Sequence, residues 1–73
     1  MNIFDLSMGQ AAVITNVGLG GGAKERLFSL GIREGERVEV INYSLFKSSV
    51  LISCSAVRVA LRKSLARKIE VRL

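Results

Sequence analysis

The 73-residue sequence has no histidine, no proline and no tryptophan, and its only cysteine is Cys54. A single thiol cannot make a disulfide framework, and without imidazole it cannot supply a zinc or iron ligand set. It also lacks the base that would activate it as a nucleophile, so Cys54 is expected to be a buried, inert thiol. The aromatic residues are Phe4, Phe28, Tyr43 and Phe46. They form no stripe on a strand, which argues against stacking of single-stranded nucleic acid. No apolar run approaches the roughly 18 residues of a membrane span, and the first residues lack the positive region of a signal peptide. Direct membrane insertion is not expected, and cytoplasmic residence is the default. The acids Asp5, Glu25, Glu34, Glu36, Glu39 and Glu70 are scattered, and no pair suggests a shared carboxylate site. No catalytic set, cofactor site or metal site is expected.

What is present is an apolar chain with a basic excess: 49% hydrophobic, 23% charged, net charge +5. Residues 1–73 read as one domain, with no repeat, no linker and no place for a boundary. A chain this short buries only about 60% of the surface it exposes when unfolded, too little core for a large preformed pocket. All seven glycines lie in the first half. The last third is basic, with Arg58, Arg62, Lys63, Arg67, Lys68 and Arg72 set against Glu70 alone. That charge suits a solvated face or a charge-steered partner.

Hydrophobic periodicity supplies the elements. Ala11 to Val17 is a β-branched run and the first strand. Arg37 to Tyr43 alternates, with Val38 and Val40 on one face and Glu39, Ile41 and Tyr43 on the other. Val50 to Ser55, Val57 to Leu61 and Lys68 to Leu73 alternate in the same way. Ala23 to Leu30 has the helical period instead, with Ala23, Leu27 and Leu30 on one face. Gly31 supplies the left-handed stop, and Ile32 is placed to pack back on Leu27. A second helical turn is expected at Arg62 to Ala66. The fold class is mainly β: a small closed barrel of about five strands, with one short inserted α-helix and a short helical turn before the last strand. Closure would also remove exposed strand edges.

Three local features bear on function. Gly18-Leu19-Gly20-Gly21-Gly22-Ala23 loosely fits a dinucleotide fingerprint, but no βαβ unit or acidic partner follows. It also fails as a phosphate loop, because Ala23 and Glu25 stand where glycine and a magnesium-binding hydroxyl are needed. These residues read instead as a flexible loop whose glycines permit positive φ. Leu45-Phe46 is an apolar pair inside an apparent hairpin loop, either a lid on the core or a docking patch. Phe28 lies off the apolar stripe of its helix.

The ordered features resemble a known family. Leu6-x-x-Gly9 precedes a strand with Ile14. The block Arg26-Leu27-Phe28-Ser29-Leu30-Gly31-Ile32-Arg33-Glu34-Gly35 follows the glycine loop. The chain closes with Val59-Ala60-Leu61-Arg62-x-x-x-Ala66-x-x-Ile69-x-Val71. From about Leu6 to Val71 this is similar to the FeoA family of the bacterial ferrous-iron transport system. The resemblance implies an SH3-like barrel without catalysis or an iron site. It implies an accessory that modulates Fe(II) uptake through the cytoplasmic GTP-binding region of the FeoB transporter. A related domain ends iron-dependent repressors, so a regulatory module, or a basic nucleic-acid-binding domain, is the alternative. Weak self-association is left open. The expected contact surface joins Lys24, Arg26, Phe28 and Ile32 to Leu45 and Phe46, with Leu27 and Leu30 in the core.

Overall fold

β-branched runs bounded by turn residues form five strands in the computed structural model, which describes residues 1–73: β1 (Ala11–Val17), β2 (Arg37–Tyr43), β3 (Ser49–Cys54), β4 (Val57–Arg62) and β5 (Ile69–Arg72). Helix α1 (Gly21–Ser29) follows β1, and the short α2 (Lys63–Ala66) precedes β5. These are the elements that periodicity predicts, with their ends moved by one or two residues. Two single 3-10 turns, Ile3–Asp5 and Leu45–Lys47, were not legible in the pattern.

All pairings are antiparallel, in the order β4-β3-β2-β1-β5. The sheet curls as an SH3-like barrel does, but it does not close. The two end strands, β4 and β5, make no ladder with each other. The chain crosses between them through α2 instead of a hairpin. The outer side of β5 is taken by the N-terminus, where Val71 N–H donates to the Met1 carbonyl at 2.8 Å and Asn2 bridges Glu70. An Asn2–Asp5 capping box holds that segment: the Asn2 side chain accepts from Phe4 N–H at 2.8 Å and Asp5 accepts from Asn2 N–H at 2.9 Å.

Two bulges set which side chains point inward. In β1 the register slips between Ile14 and Asn16, so Ala12, Ile14 and Val17 are buried rather than a strict alternate set. In β2 it slips between Val40 and Asn42, and Tyr43 pairs with the buried Val50. Tyr43 therefore lies on the inner side with Val38 and Val40, not on the Glu39 face that plain alternation assigns. Its hydroxyl donates to the Leu6 carbonyl, and the Phe4 ring meets it edge-on at 5.0 Å. Burial raises the Tyr43 pKa, and the charge of Asp5 adds to the effect.

The core holds sixteen buried residues, every one apolar, and no buried side-chain polar atom lacks a partner. Cys54 is among them, 3% exposed; burial pushes its thiol pKa up and keeps it protonated.

Helix α1 ends as its sequence requires. Ile32 N–H donates to the Leu27 carbonyl at 2.9 Å and Gly31 N–H to the Phe28 carbonyl at 3.0 Å, the two bonds of a Schellman motif. Gly31 has φ +89°, and a Cβ there would stand 2.7 Å from Cβ of Ser55. That glycine meets both demands at once, a left-handed backbone and close approach to the β3–β4 turn. The Ser55 hydroxyl is within 3.2 Å of the Gly31 carbonyl and 2.8 Å of a Glu36 carboxylate oxygen. The turn itself puts Ser55 and Ala56 at φ 52° and 65°, the type I′ hand that fits a twisted two-residue hairpin.

Candidate partner-binding surface

Each residue expected to touch a partner has a definite place. Lys24, Arg26 and Phe28 are exposed on α1, Phe28 by 54%. Lys24 lies 3.9 Å from Glu34. The Arg33 guanidinium covers the Phe28 ring at 4.9 Å. Ile32 does not lie on the surface. It is 1% exposed, because the Schellman turn folds it onto Leu27 in the core. Leu27 is buried and Leu30 half-buried against the same core.

Leu45 and Phe46 are 80% and 91% exposed, so the pair is no lid on the core. The cause is local. Phe46 and Lys47 adopt φ 67° and 54°, left-handed conformations that cost a non-glycine residue roughly 1–2 kcal/mol each. Ser44 holds the strained loop shut, its hydroxyl accepting the N–H groups of Ser48 at 3.1 Å and Ser49 at 2.9 Å. The strain therefore persists, and it projects two large apolar side chains into water.

The end of α1 and this loop lie at different ends of β3. Leu45–Lys47 lies before β3, while the end of α1 docks on Ser55 after β3. The six residues of β3 separate the two sites by roughly 17 Å. What the loop does meet is the N-terminal segment. An open groove runs between them, lined by Phe4, Leu6, Met8, Asn42, Tyr43 and Lys47 among others. The Lys47 ammonium lies over the Tyr43 ring at 4.5 Å, and Met8 is 63% exposed. Periodicity could not find this groove, because Met8 and Phe4 come from a segment outside every periodic run.

The charges are arranged unevenly. Three ion pairs occur, all at the surface: Lys24–Glu34, Arg33–Glu36 and Arg37–Glu39. Glu34 accepts Val17 N–H at 3.0 Å. Its pKa lies below the usual value, first through its own backbone N–H, then through that of Val17, with the charge of Lys24 helping and desolvation opposing. Arg58, Arg62, Lys63, Arg67, Lys68 and Arg72 join none of these pairs. No three His, Cys, Asp or Glu side chains converge on a point that would hold a metal ion. No helix is long and apolar enough to cross a membrane.

Comparison with known proteins then places the chain. A family model described as the FeoA domain matches residues 1–73. The solution structure of iron(II) transport protein A from Clostridium thermocellum superposes with a TM-score of 0.92 at 26% identity. That match covers all of this chain and 45% of the other, so this chain spans about half the length of that relative. A zinc complex of FeoA from Stenotrophomonas maltophilia, described as a prokaryotic SH3 domain protein, matches with a TM-score of 0.83 at 28% identity. There the match covers 97% of this chain and 88% of the other. A manganese-dependent transcriptional repressor shares the fold alone, with a TM-score of 0.82 at 19% identity over 100% of this chain and 41% of that one. No curated protein matches the sequence.

Proposed function

This chain belongs to the FeoA family, and from that premise we propose that it is a non-catalytic accessory of ferrous-iron transport that docks on the cytoplasmic GTP-binding region of a FeoB-type transporter. The observation that carries this reading is the loop of Leu45 and Phe46. Two large apolar side chains, 80% and 91% exposed, stand on a strained backbone beside a groove with an aromatic wall. Such a patch gives a partner an aromatic anchor that is already ordered, which lowers the entropic cost of binding. Phe28, Lys24 and Arg26 on α1 form a second, separate contact at the far end of β3. The domain then works by altering the transporter it touches, with the iron as cargo and not as a ligand of this chain.

Amide-shift titration of the labelled protein tests the proposal. The transporter's cytoplasmic region should move the resonances of residues 43–48 and Met8, and a short DNA duplex should move none. Phe46→Ser should weaken the complex at least tenfold while leaving thermal unfolding unchanged. The likeness to the repressor favours a second reading, a regulatory module, for which DNA or a repressor fragment would be the partner. Shifts with the duplex, or none with the transporter region, would overturn the first reading.

A further inference from the structure

The sheet has one strand edge with nothing on it. The β3–β4 ladder shows which backbone groups that edge presents. Lys63 N–H donates to the Ser48 carbonyl, and Ser44 N–H donates to the Ser49 carbonyl on the other side of β3. Ser49 thus directs its backbone toward β2, and its partner Arg62 directs its own away from β3. The pairs Ser53↔Arg58 and Leu51↔Ala60 fall in the same phase. The N–H and C=O groups of Arg58 and Ala60 and the N–H of Arg62 therefore point outward and bond to no loop or side chain, while the Arg62 carbonyl, at the N-cap of α2, belongs to the first turn of that helix. The edge of β5 is different, being capped by the Met1–Asn2 segment.

The side chains around this edge define what fits. Arg58, Ala60 and Arg62 are exposed on one face, and neither arginine has an ion-pair partner. On the other face Val57 and Val59 are only half-buried, leaving apolar surface uncovered beside the edge. A second copy of this chain is a poor occupant. Antiparallel self-pairing about Ala60 would set Arg58 opposite Arg62 of the copy, and like charges directly opposite destabilise a ladder. The same two arginines attract carboxylates.

We propose that the β4 edge is a strand-addition site for an extended acidic segment of a partner protein, patterned acid–apolar–any–apolar–acid. Its two carboxylates would stand opposite Arg58 and Arg62, its apolar residues would stand opposite Val59 and Leu61 on the face these share with Val57, and its backbone would pair with the outward groups. This site is distinct from the Leu45–Phe46 surface, which its Arg62 end adjoins through Ser49, and shifts at Arg58 and Ala60 tell the two apart.

The test uses the full chain, labelled with nitrogen-15, and a capped peptide containing Glu-Val-Thr-Val-Glu. The expected result is saturable shifts centred on the amides of Arg58, Ala60 and Arg62, together with slowed exchange of those amides. Methylating alternate peptide nitrogens, at unchanged charge, should abolish binding. Ala60→Pro removes only an outward N–H and should weaken binding at least tenfold. Should that variant misfold, the double change Arg58→Glu, Arg62→Glu decides, because it should lose this peptide and bind its lysine counterpart. Equal binding of the methylated peptide would overturn the proposal. So would shifts centred elsewhere, no binding at millimolar peptide, or edge amides that respond to protein concentration alone.

Discussion

Gly31→Ala adds a methyl group where the end of α1 rests on the β3–β4 turn. The cost can be worked from three parts. The backbone there has φ +89°, and a left-handed conformation costs alanine roughly 1–2 kcal/mol. The new Cβ would lie 2.7 Å from Ser55 Cβ and 2.9 Å from its Oγ. Ser55 Cβ is fixed to the main chain, so the turn itself must shift, an overpacking cost of roughly 1–3 kcal/mol. That shift also stretches the Ser55 hydroxyl contact with the Gly31 carbonyl, worth about 1 kcal/mol. The sum is about 3–6 kcal/mol. A domain of 73 residues has roughly 4–11 kcal/mol in all, so the variant should sit near its unfolding threshold. Urea unfolding followed by circular dichroism should show a midpoint lower by about 3 M or more, for a slope near 1 kcal/mol/M. Gly22→Ala is the control. It is the second residue of α1 with nothing within 4 Å of a Cβ, and it should gain up to about 1 kcal/mol. Ser55→Gly removes the clashing carbon, so the double variant should show a favourable coupling of about 1 kcal/mol or more in a mutant cycle. A loss under about 1 kcal/mol for Gly31→Ala, or no coupling to Ser55→Gly, would refute this account of the α1–turn contact.

Leu27→Ala should cost about 2–5 kcal/mol by urea unfolding, since Leu27 is 3% exposed in the core; unchanged stability with lost partner binding would mean the faces of α1 are misassigned. Ala56→Gly should stabilise by about 1 kcal/mol, because the residue at φ 65° then suits its type I′ turn; a loss would show that the turn carries no strain there. The lowered pKa of Glu34 makes its contribution fully present above the ordinary carboxylate value of 4.5 and lost as pH falls through the lower folded value. Melting temperature against pH should therefore drop on the acid side in the native protein, and less steeply in Glu34→Gln; equal slopes would remove that role.

The local pattern of residues determined a good deal. The run from Arg26 to Ile32 specifies a helix, its glycine stop and the return of Ile32 onto Leu27, because every contact in a Schellman motif lies within six positions. Strand β3 was equally plain, with Val50, Ile52 and Cys54 buried on one face. The same pattern suggested Ile32 as a contact residue, although the return of its backbone onto the helix was enough to bury it. Phe28, off the apolar stripe, was legible as exposed.

Other features depend on pairings between distant segments. The bulge in β2 turns Tyr43 inward, and alternation cannot show it, since a bulge is a mismatch between two strands and has no signature in either. The exposure of Leu45 and Phe46 follows from left-handed backbone held by Ser44, where polarity alone allowed both a lid and a patch. The contact between Gly31 and Ser55, far apart in the chain, decides that the end of α1 stands at the end of β3 away from this loop. The order of strands leaves β4 at one edge while the N-terminus covers β5. A periodic sequence states which face of each element avoids water; where those faces meet, and which edges they leave free, is a matter of long-range geometry that exists only once the chain has folded.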